Sequence, residues 1–243
     1  MRIGNERFQT LMKCNGWGDP QKDGIWFIGL EEADEWSETN IELLNRYINP
    51  FMEVEKGEIE GNRKRAGNKF TKVVDIMSAV ILNSGFDATY NGKRDDYVAY
   101  SNSRLFLNQS RIFQANLFPL GKKKFKGMLP DAYTQLFELH KDMSLDDYQN
   151  IVRKDRFPIL HRFWEETQPS TTICFGYQGW KDFKVLLNLY EPIIKNNDGS
   201  IELYHVQGKS VILTPFFSRY MMTEKRIKDL SEIIKSETIS SAK

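Results

Sequence analysis

Two adjacent carboxylates, Glu31 and Glu32, follow an apolar run that ends in a glycine, Ile25–Gly29. Ligands of open α/β sheets bind beyond the carboxyl ends of the strands, so an acidic pair at this point is placed to act on a bound molecule. A carboxylate there can stabilise developing positive charge or activate a water molecule. Repulsion between the two acids would also raise the pKa of one of them. The structural alternative is a helix that begins with acids, which favour its positive N-terminal end.

Polar or aromatic residues also follow three later apolar runs. The four strand exits, in chain order, are Gly29-Leu30-Glu31-Glu32, Asn116-Leu117-Phe118-Pro119, Phe175-Gly176, which Tyr177 follows, and Thr214-Pro215-Phe216-Phe217-Ser218. The amide of Asn116 can both donate to and accept from the Watson–Crick edge of a base. The alternative is an asparagine that only satisfies backbone groups at the end of a strand.

Two basic clusters are candidates for phosphate contacts. They are Arg63-Lys64-Arg65 and Lys122-Lys123-Lys124, the second of which follows the strand that ends at Asn116. The chain carries 34 basic and 33 acidic residues, so a nucleic acid would have to be held by a local basic face. Phosphate contacts position a protein on a nucleic acid without reading its sequence. The alternative is that each cluster is a solvated surface.

Strands that alternate with helices must position these residues. The apolar spacing predicts strands over 25–28, 111–117, 171–175, 201–206 and 210–213. It predicts helices over 3–14, 38–48, 69–83, 131–140, 145–166 (interrupted at Phe157-Pro158), 178–190 and 223–235, and a polar surface segment over 53–69. This order predicts a three-layer α/β/α fold with a central, mostly parallel sheet of four or five strands. We interpret the chain as a single domain, 1–243, with a core over about 24–235 and a frayed tail from Ser236.

Composition narrows the class of protein. Hydrophobic residues make up 40% of the chain and charged residues 28%, as in ordinary soluble globular proteins. Cys14 and Cys174 are the only cysteines, which excludes a four-cysteine zinc or iron–sulfur site and favours a reducing compartment. Residues 1–8 lack the apolar run that is typical of a signal peptide, and no apolar stretch approaches the roughly 18 residues that a membrane helix needs. We therefore predict a cytoplasmic protein, monomeric and without a membrane partner.

The four strand exits, taken in order, resemble those of the uracil-DNA glycosylase superfamily over about residues 24 to 222. The resemblance implies a DNA glycosylase, which breaks the N-glycosidic bond of a flipped base through an oxocarbenium-like sugar and leaves an abasic site. Glu31 matches the catalytic aspartate of one large branch, with Glu32 as the runner-up, and Asn116 matches the asparagine that reads the base. The other base-binding positions that the resemblance implies are Gly29, Leu30, Ala33, Phe118 and Tyr177.

The chain also departs from the family pattern. Thr214 stands where the family often has a histidine, which donates a hydrogen bond to the pyrimidine carbonyl as negative charge develops on the base. Threonine can donate a hydrogen bond as well, but it carries no positive charge. The chain lacks the four cysteines of the cluster-bearing branches, so the resemblance implies no cofactor. The family loop that enters the duplex, where an aromatic wedge can hold a flipped base out of the stack, corresponds to Phe216, Phe217, Ser218 and Arg219.

Ala33 indicates the class of base. Strict uracil enzymes have a tyrosine at the matching position, whose ring excludes substituents on C5 of the pyrimidine, whereas alanine leaves room for them. The resemblance therefore implies excision of a 5-modified pyrimidine from single- or double-stranded DNA, with glucosylated hydroxymethylcytosine in phage DNA as one candidate. Two alternatives remain open. One is a catalytically inactive protein of the same fold that binds DNA or a modified base, and the other is an unrelated nucleotide-handling α/β enzyme, although the chain has no Gly-rich phosphate loop.

Overall fold

A computed structural model describes residues 4–31, 35–46, 50–66, 68–93, 95–122, 128–196 and 198–241. Four of the candidate residues lie outside these ranges, namely Glu32, Ala33, Lys123 and Lys124. The side chains of the cluster Arg63-Lys64-Arg65 are also outside the described part, although its backbone is inside. The expectations for these residues therefore stay predictions.

Within the described ranges, seven strands form one mixed sheet. In chain order they are β1 (Trp17–Gly18), β2 (Ile25–Glu31), β3 (Ile112–Phe118), β4 (Thr171–Phe175), β5 (Ile194–Lys195), β6 (Glu202–Val206) and β7 (Lys209–Thr214). Their spatial order is β1-β3-β2-β4-β7-β6-β5. The inner strands β3, β2, β4 and β7 run parallel, while β1, β6 and β5 pair antiparallel with their neighbours.

The α/β class is therefore confirmed, but the expected four- to five-stranded, mostly parallel sheet is wrong in size and in direction. The turn Gln207-Gly208 joins β6 to β7, and a two-residue turn can connect only antiparallel strands. The outermost strands β1 and β5 are two residues long, too short to produce an apolar period in the sequence.

The helices in the described ranges surround this sheet. They are α1 (Glu6–Lys13), α2 (Glu58–Ala66), α3 (Asn68–Ser84), α4 (Tyr97–Ser103), α5 (Ala132–Leu136), α6 (Leu145–Asp155), α7 (Phe157–Thr167), α8 (Trp180–Leu186) and α9 (Glu224–Ser241). The helix predicted over 38–48 is a short 3₁₀ helix, Ile41–Arg46. The segment 53–69, predicted to be a polar surface segment, contains α2.

The tail predicted to fray from Ser236 continues as part of α9. Glu237 accepts a hydrogen bond from the hydroxyl of Ser210 and is hydrogen-bonded to Nε2 of His205. Both partners lie at the β6–β7 hairpin, so a contact distant in sequence holds this last stretch of helix against the sheet.

Apolar side chains cover both faces of the sheet, an arrangement compatible with three layers. On one face Trp26 and Ile28 of β2 belong to a cluster with residues of α1 and α5–α8. On the other face Ile25 and Phe27 belong to a cluster with residues of α2–α4 and α9. Because β2 is buried on both faces, its sequence is an unbroken apolar run rather than an alternating one.

A buried arginine at the junction of α6 and α7 anchors the end of β3. Arg156 is only 2% exposed, and its guanidinium donates to five backbone carbonyls. Three of them, those of Leu11, Met12 and Cys14, lie at the end of α1, and the other two belong to Asn116 and Leu117 of β3. Carbonyls at a helix C-terminus lack partners in the helix and carry partial negative charge, so they suit a guanidinium.

We expect Arg156→Met to lower the free energy of unfolding by about 3 kcal/mol or more, because hydrogen bonds from a charged group contribute about 1.5–3 kcal/mol each and the carbonyls would be left without them. Urea denaturation at pH 7 measures the loss. Arg162→Met, at an exposed position on α7, is the matched control and should change stability by less than about 0.5 kcal/mol. Equal effects of the two substitutions would contradict the anchoring role of Arg156.

Candidate active site

The carboxyl ends of β3, β2, β4 and β7 share one edge of the sheet, because these strands are parallel. The four exits predicted from the sequence therefore lie along the same edge. Gly29 of β2 is paired with Asn116 of β3, and Glu31 is paired with Phe118. Glu31 and Asn116 thus lie on neighbouring parallel strands, two residues apart in register.

Gly29 leaves the space that the Asn116 side chain uses. A Cβ on residue 29 would lie 2.6 Å from Oδ1 of Asn116 and 2.9 Å from the ring of Phe175, closer than real Cβ contacts. Asn116 is 5% exposed, and its backbone carbonyl accepts a hydrogen bond from Arg156. Its side-chain amide makes no hydrogen bond to any residue in the described part of the chain. An amide that is nearly enclosed and not hydrogen-bonded to any described residue can pair with a ligand.

Glu31 forms an ion pair with Lys122, whose Nζ donates to Oε2 of the carboxylate. The side chains are 11% and 1% exposed, respectively. Burial raises the pKa of the Glu31 carboxyl above its ordinary value, and the hydrogen bond and charge of Lys122 oppose that shift. The expectation that Lys122 contacts phosphate is corrected by this placement, since its ammonium group is enclosed in the protein and paired with a carboxylate.

The loop after β3 contains Lys122, and hydrogen bonds to this loop hold Lys122 next to Glu31. Three successive residues in it are tied to aromatic side chains: Trp36 Nε1 donates to the carbonyl of Pro119 (3.3 Å), the Leu120 amide donates to the Tyr148 hydroxyl (3.0 Å), and the Tyr133 hydroxyl donates to the carbonyl of Gly121 (2.5 Å). Sequence reasoning missed these three aromatic residues, because each partner is 12 or more positions away and the rings themselves have the pattern of core residues.

Two residues expected to touch the base are part of the core beneath the edge. Phe118 is fully buried and packs near Tyr148 and Phe157. Leu30 is buried against Gly179, where a Cβ would lie 1.8 Å from its Cδ2. The expectation that Phe118 contacts the base directly is therefore wrong. Phe118 and Leu30 both pack in the core beneath the edge of the sheet.

Thr214 does not present its hydroxyl to the crevice. The residue is fully buried, and its hydroxyl donates to the carbonyl of Pro215 at 3.0 Å. Its own carbonyl accepts hydrogen bonds from Trp180 Nε1 and from the Gly176 amide. The expectation that Thr214 donates a hydrogen bond to the base is therefore wrong, because its hydroxyl and its carbonyl both form hydrogen bonds within the protein.

Of the two phenylalanines in the loop after β7, one is buried in the core and the other is exposed on the surface. Phe217 is fully buried and stacks on Phe175 at a centroid distance of 4.8 Å, so its expected contact with DNA is corrected. Phe216 is 42% exposed, and Arg219 is exposed as well. Ser218, half-buried, accepts hydrogen bonds from the amides of two later residues. The sequence leaves open which phenylalanine faces solvent, and the structure assigns that position to Phe216.

No protein-family model and no curated protein matches this chain. Among the described residues, no three His, Cys, Asp or Glu side chains come together as a metal site would require. Within the same ranges no helix combines the length and the apolar character needed to cross a bilayer.

Gly29→Ala should displace the Asn116 side chain, because the added Cβ would overlap with Oδ1. We expect a loss of about 1–3 kcal/mol in the free energy of unfolding, the usual cost of overpacking a core. Gly61→Ala is the matched control: residue 61 lies in α2 with no atom within 4 Å of an added Cβ, so there alanine should stabilise, by up to about 1 kcal/mol. Thermal unfolding of both variants gives the comparison, and a neutral Gly29→Ala would contradict the close packing.

The raised pKa of Glu31 sets a direction for pH dependence. The native state holds this proton to a higher pH than the unfolded chain does, so the contribution of Glu31 to stability falls as pH rises through the interval above 4.5. Lys122→Met removes an ion pair that exists only when the Glu31 carboxylate is ionised. We therefore expect it to cost about 3–5 kcal/mol at pH 7 and distinctly less at about pH 4.

Urea denaturation of Lys122→Met at both pH values measures this difference. Lys22→Met, at an exposed position just before β2, is the control and should show little effect at either pH. A Lys122→Met cost that did not depend on pH would mean that Lys122 contributes through packing and not through the charge of Glu31.

Proposed function

We propose that this protein is a monofunctional DNA glycosylase that hydrolyses the N-glycosidic bond of a flipped, 5-modified pyrimidine. The observation that carries the proposal is the amide of Asn116, nearly enclosed and with no hydrogen-bond partner in the described part of the chain, on the strand next to that of Glu31. An amide that reads the base and a carboxylate that acts at the sugar are the two groups that this reaction needs.

Asn116 is the residue that recognises the base. Its amide pairs with the Watson–Crick edge, donating through Nδ2 and accepting through Oδ1. Arg156 holds its backbone carbonyl and the absence of a side chain at Gly29 leaves room for its Oδ1, so the amide is positioned before a base arrives. Such preorganisation means that little conformational freedom is lost when the base binds.

Glu31 acts at the anomeric carbon. As the C1′–N1 bond breaks, its electron pair goes to the base and positive charge develops on the sugar, which a nearby carboxylate stabilises. Water then forms the new C1′–O bond and gives its proton to the carboxylate. Lys122 favours the ionised form that both steps require, while burial keeps the carboxylate basic enough to accept the proton.

Exposed groups around the edge suit contact with DNA. Tyr177 follows β4 and is partly exposed, and Phe216 and Arg219 are exposed after β7. Phe216 can fill the gap left by a flipped base, and Arg219 can bind a phosphate. The preference for a 5-modified base, with glucosylated hydroxymethylcytosine as the leading candidate, depends on Ala33, which lies outside the described residues.

Two observations favour a second candidate, a protein that binds DNA or a modified base without cleaving it. The hydroxyl of Thr214 is directed to the carbonyl of Pro215, so it offers no donor to a leaving base. The carboxylate of Glu31 is already bound by Lys122. If both arrangements persist with DNA bound, the site would read a base without activating a water molecule.

Incubation with DNAs that contain uracil, 5-hydroxymethylcytosine or its glucosylated form, followed by detection of abasic sites, separates the two candidates. We expect abasic sites in a DNA with a 5-modified cytosine. Glu31→Gln should lower their rate of formation by about 100-fold or more, the usual contribution of a general base, without abolishing DNA binding. Glu166→Gln, at an exposed position on α7, should leave the rate unchanged.

Three results would each contradict a different part of the proposal. Binding of a modified DNA with no abasic sites would establish the non-catalytic alternative. Efficient release of plain uracil with no action on 5-modified cytosine would exclude the proposed substrate class. Full activity of Glu31→Gln would remove the assigned carboxylate from the mechanism.

A further inference from the structure

A groove open to solvent runs along one side of α8, the helix that follows the exit of β4. Trp180, Lys181, Lys184, Val185 and Tyr190 are among the residues that line it, and most of them recur at helical spacing. The Tyr190 side chain is 84% exposed, and Val185 and Lys181 are exposed too. None of these side chains is needed for the hydrolysis proposed above.

One residue of the groove, Trp180, also lies near the edge of the sheet. The ring of Tyr177, which follows β4, lies 5.0 Å from that of Trp180. The indole is held in place because its Nε1 donates to the carbonyl of Thr214 at 3.2 Å. Phe216 approaches the same strand exit, since its ring lies 4.0 Å from the position of a Cβ on Gly176. Phe216, Tyr177 and Trp180 therefore lie near the exits of β4 and β7, and Trp180 also lines the groove that contains Tyr190.

The chemistry of the groove is aromatic and basic. Lys184 lies over the ring of Trp180 and forms an ion pair with Glu202, so its charge is already compensated. Lys181, by contrast, forms no ion pair with any residue that the structure describes. Exposed ring faces stack on unpaired bases, and a free ammonium group attracts phosphate. A duplex offers no unpaired base faces along its length, so the groove suits a single strand.

We propose that this groove binds single-stranded DNA next to the reacting nucleotide, with one base stacked on Tyr190, another on Trp180, and a phosphate at Lys181. The inference rests on the proposed function, from which it takes both the polymer, DNA, and the position of the reacting nucleotide. It makes the substrate a strand that is unpaired beyond the flipped base, and it extends the contact surface from the crevice along α8.

Fluorescence anisotropy with a fluorescein-labelled oligothymidylate of about 12 nucleotides tests the proposal. Such a strand contains no modified base, and its length is within the usual range for one single-strand binding site. Tyr190→Ala should weaken binding by about fivefold or more, the effect of losing one stacked base, whereas Tyr190→Phe, which keeps the ring, should bind like the unaltered protein. Both substitutions are at an exposed position, so neither is expected to affect folding.

The charge contribution is measured separately. Lys181→Ala should reduce the slope of log affinity against log salt by about 0.7, the value for one phosphate contact on a single strand. Lys22→Ala, at an exposed position near the opposite end of β2, is the matched control and should leave the slope unchanged.

The proposal is overturned if the unaltered protein does not bind the oligothymidylate, if duplex DNA of the same length binds as tightly, or if Tyr190→Phe loses as much affinity as Tyr190→Ala. Base excision is not part of this readout. If no abasic sites form but Tyr190→Ala weakens binding, the glycosylase proposal is disproved and the groove proposal stands. If excision occurs but Tyr190→Ala leaves binding unchanged, the groove proposal is disproved and the glycosylase proposal stands.

Discussion

The guanidinium of Arg156 joins the end of α1, the end of β3 and the junction between α6 and α7. It is buried among backbone carbonyls, whose dipoles replace the water that a charged group loses inside a protein. Two of these carbonyls belong to consecutive residues of β3, Asn116 and Leu117. The position of the base-reading residue in the proposed site therefore depends on a contact with a helix junction 40 residues later in the chain.

The same end of β3 determines where the acid is held. The following loop is tied to Trp36, Tyr133 and Tyr148, and it contains Lys122, whose ammonium group binds Glu31. The two polar groups at the edge thus have separate supports: the amide depends on the gap at Gly29, and the carboxylate depends on the loop. The sequence names Gly29 and Lys122 as candidate residues, but it does not show that Gly29 makes room for the amide or that Lys122 binds Glu31.

The inner strands were predictable because a parallel strand buried on both faces is a continuous apolar run that ends at turn residues. The helix α2 was not, since Glu58–Ala66 is polar and contains a glycine. The last turns of α9 were missed for a different reason. The contacts of Glu237 with His205 and Ser210 join residues about 30 positions apart, and no local pattern encodes them.

By itself, the sequence determined the α/β class, the position of the strand exits and the kinds of side chain at each of them. Only the tertiary structure decided which of those side chains face solvent. In the folded protein, Lys122 is buried and paired with Glu31. Thr214 and Phe217 are buried as well, whereas Phe216 is exposed. The physical reason is that the spacing of apolar residues reports the orientation of a side chain within its own element, whereas burial at a strand end depends on the loops and helices that pack over it.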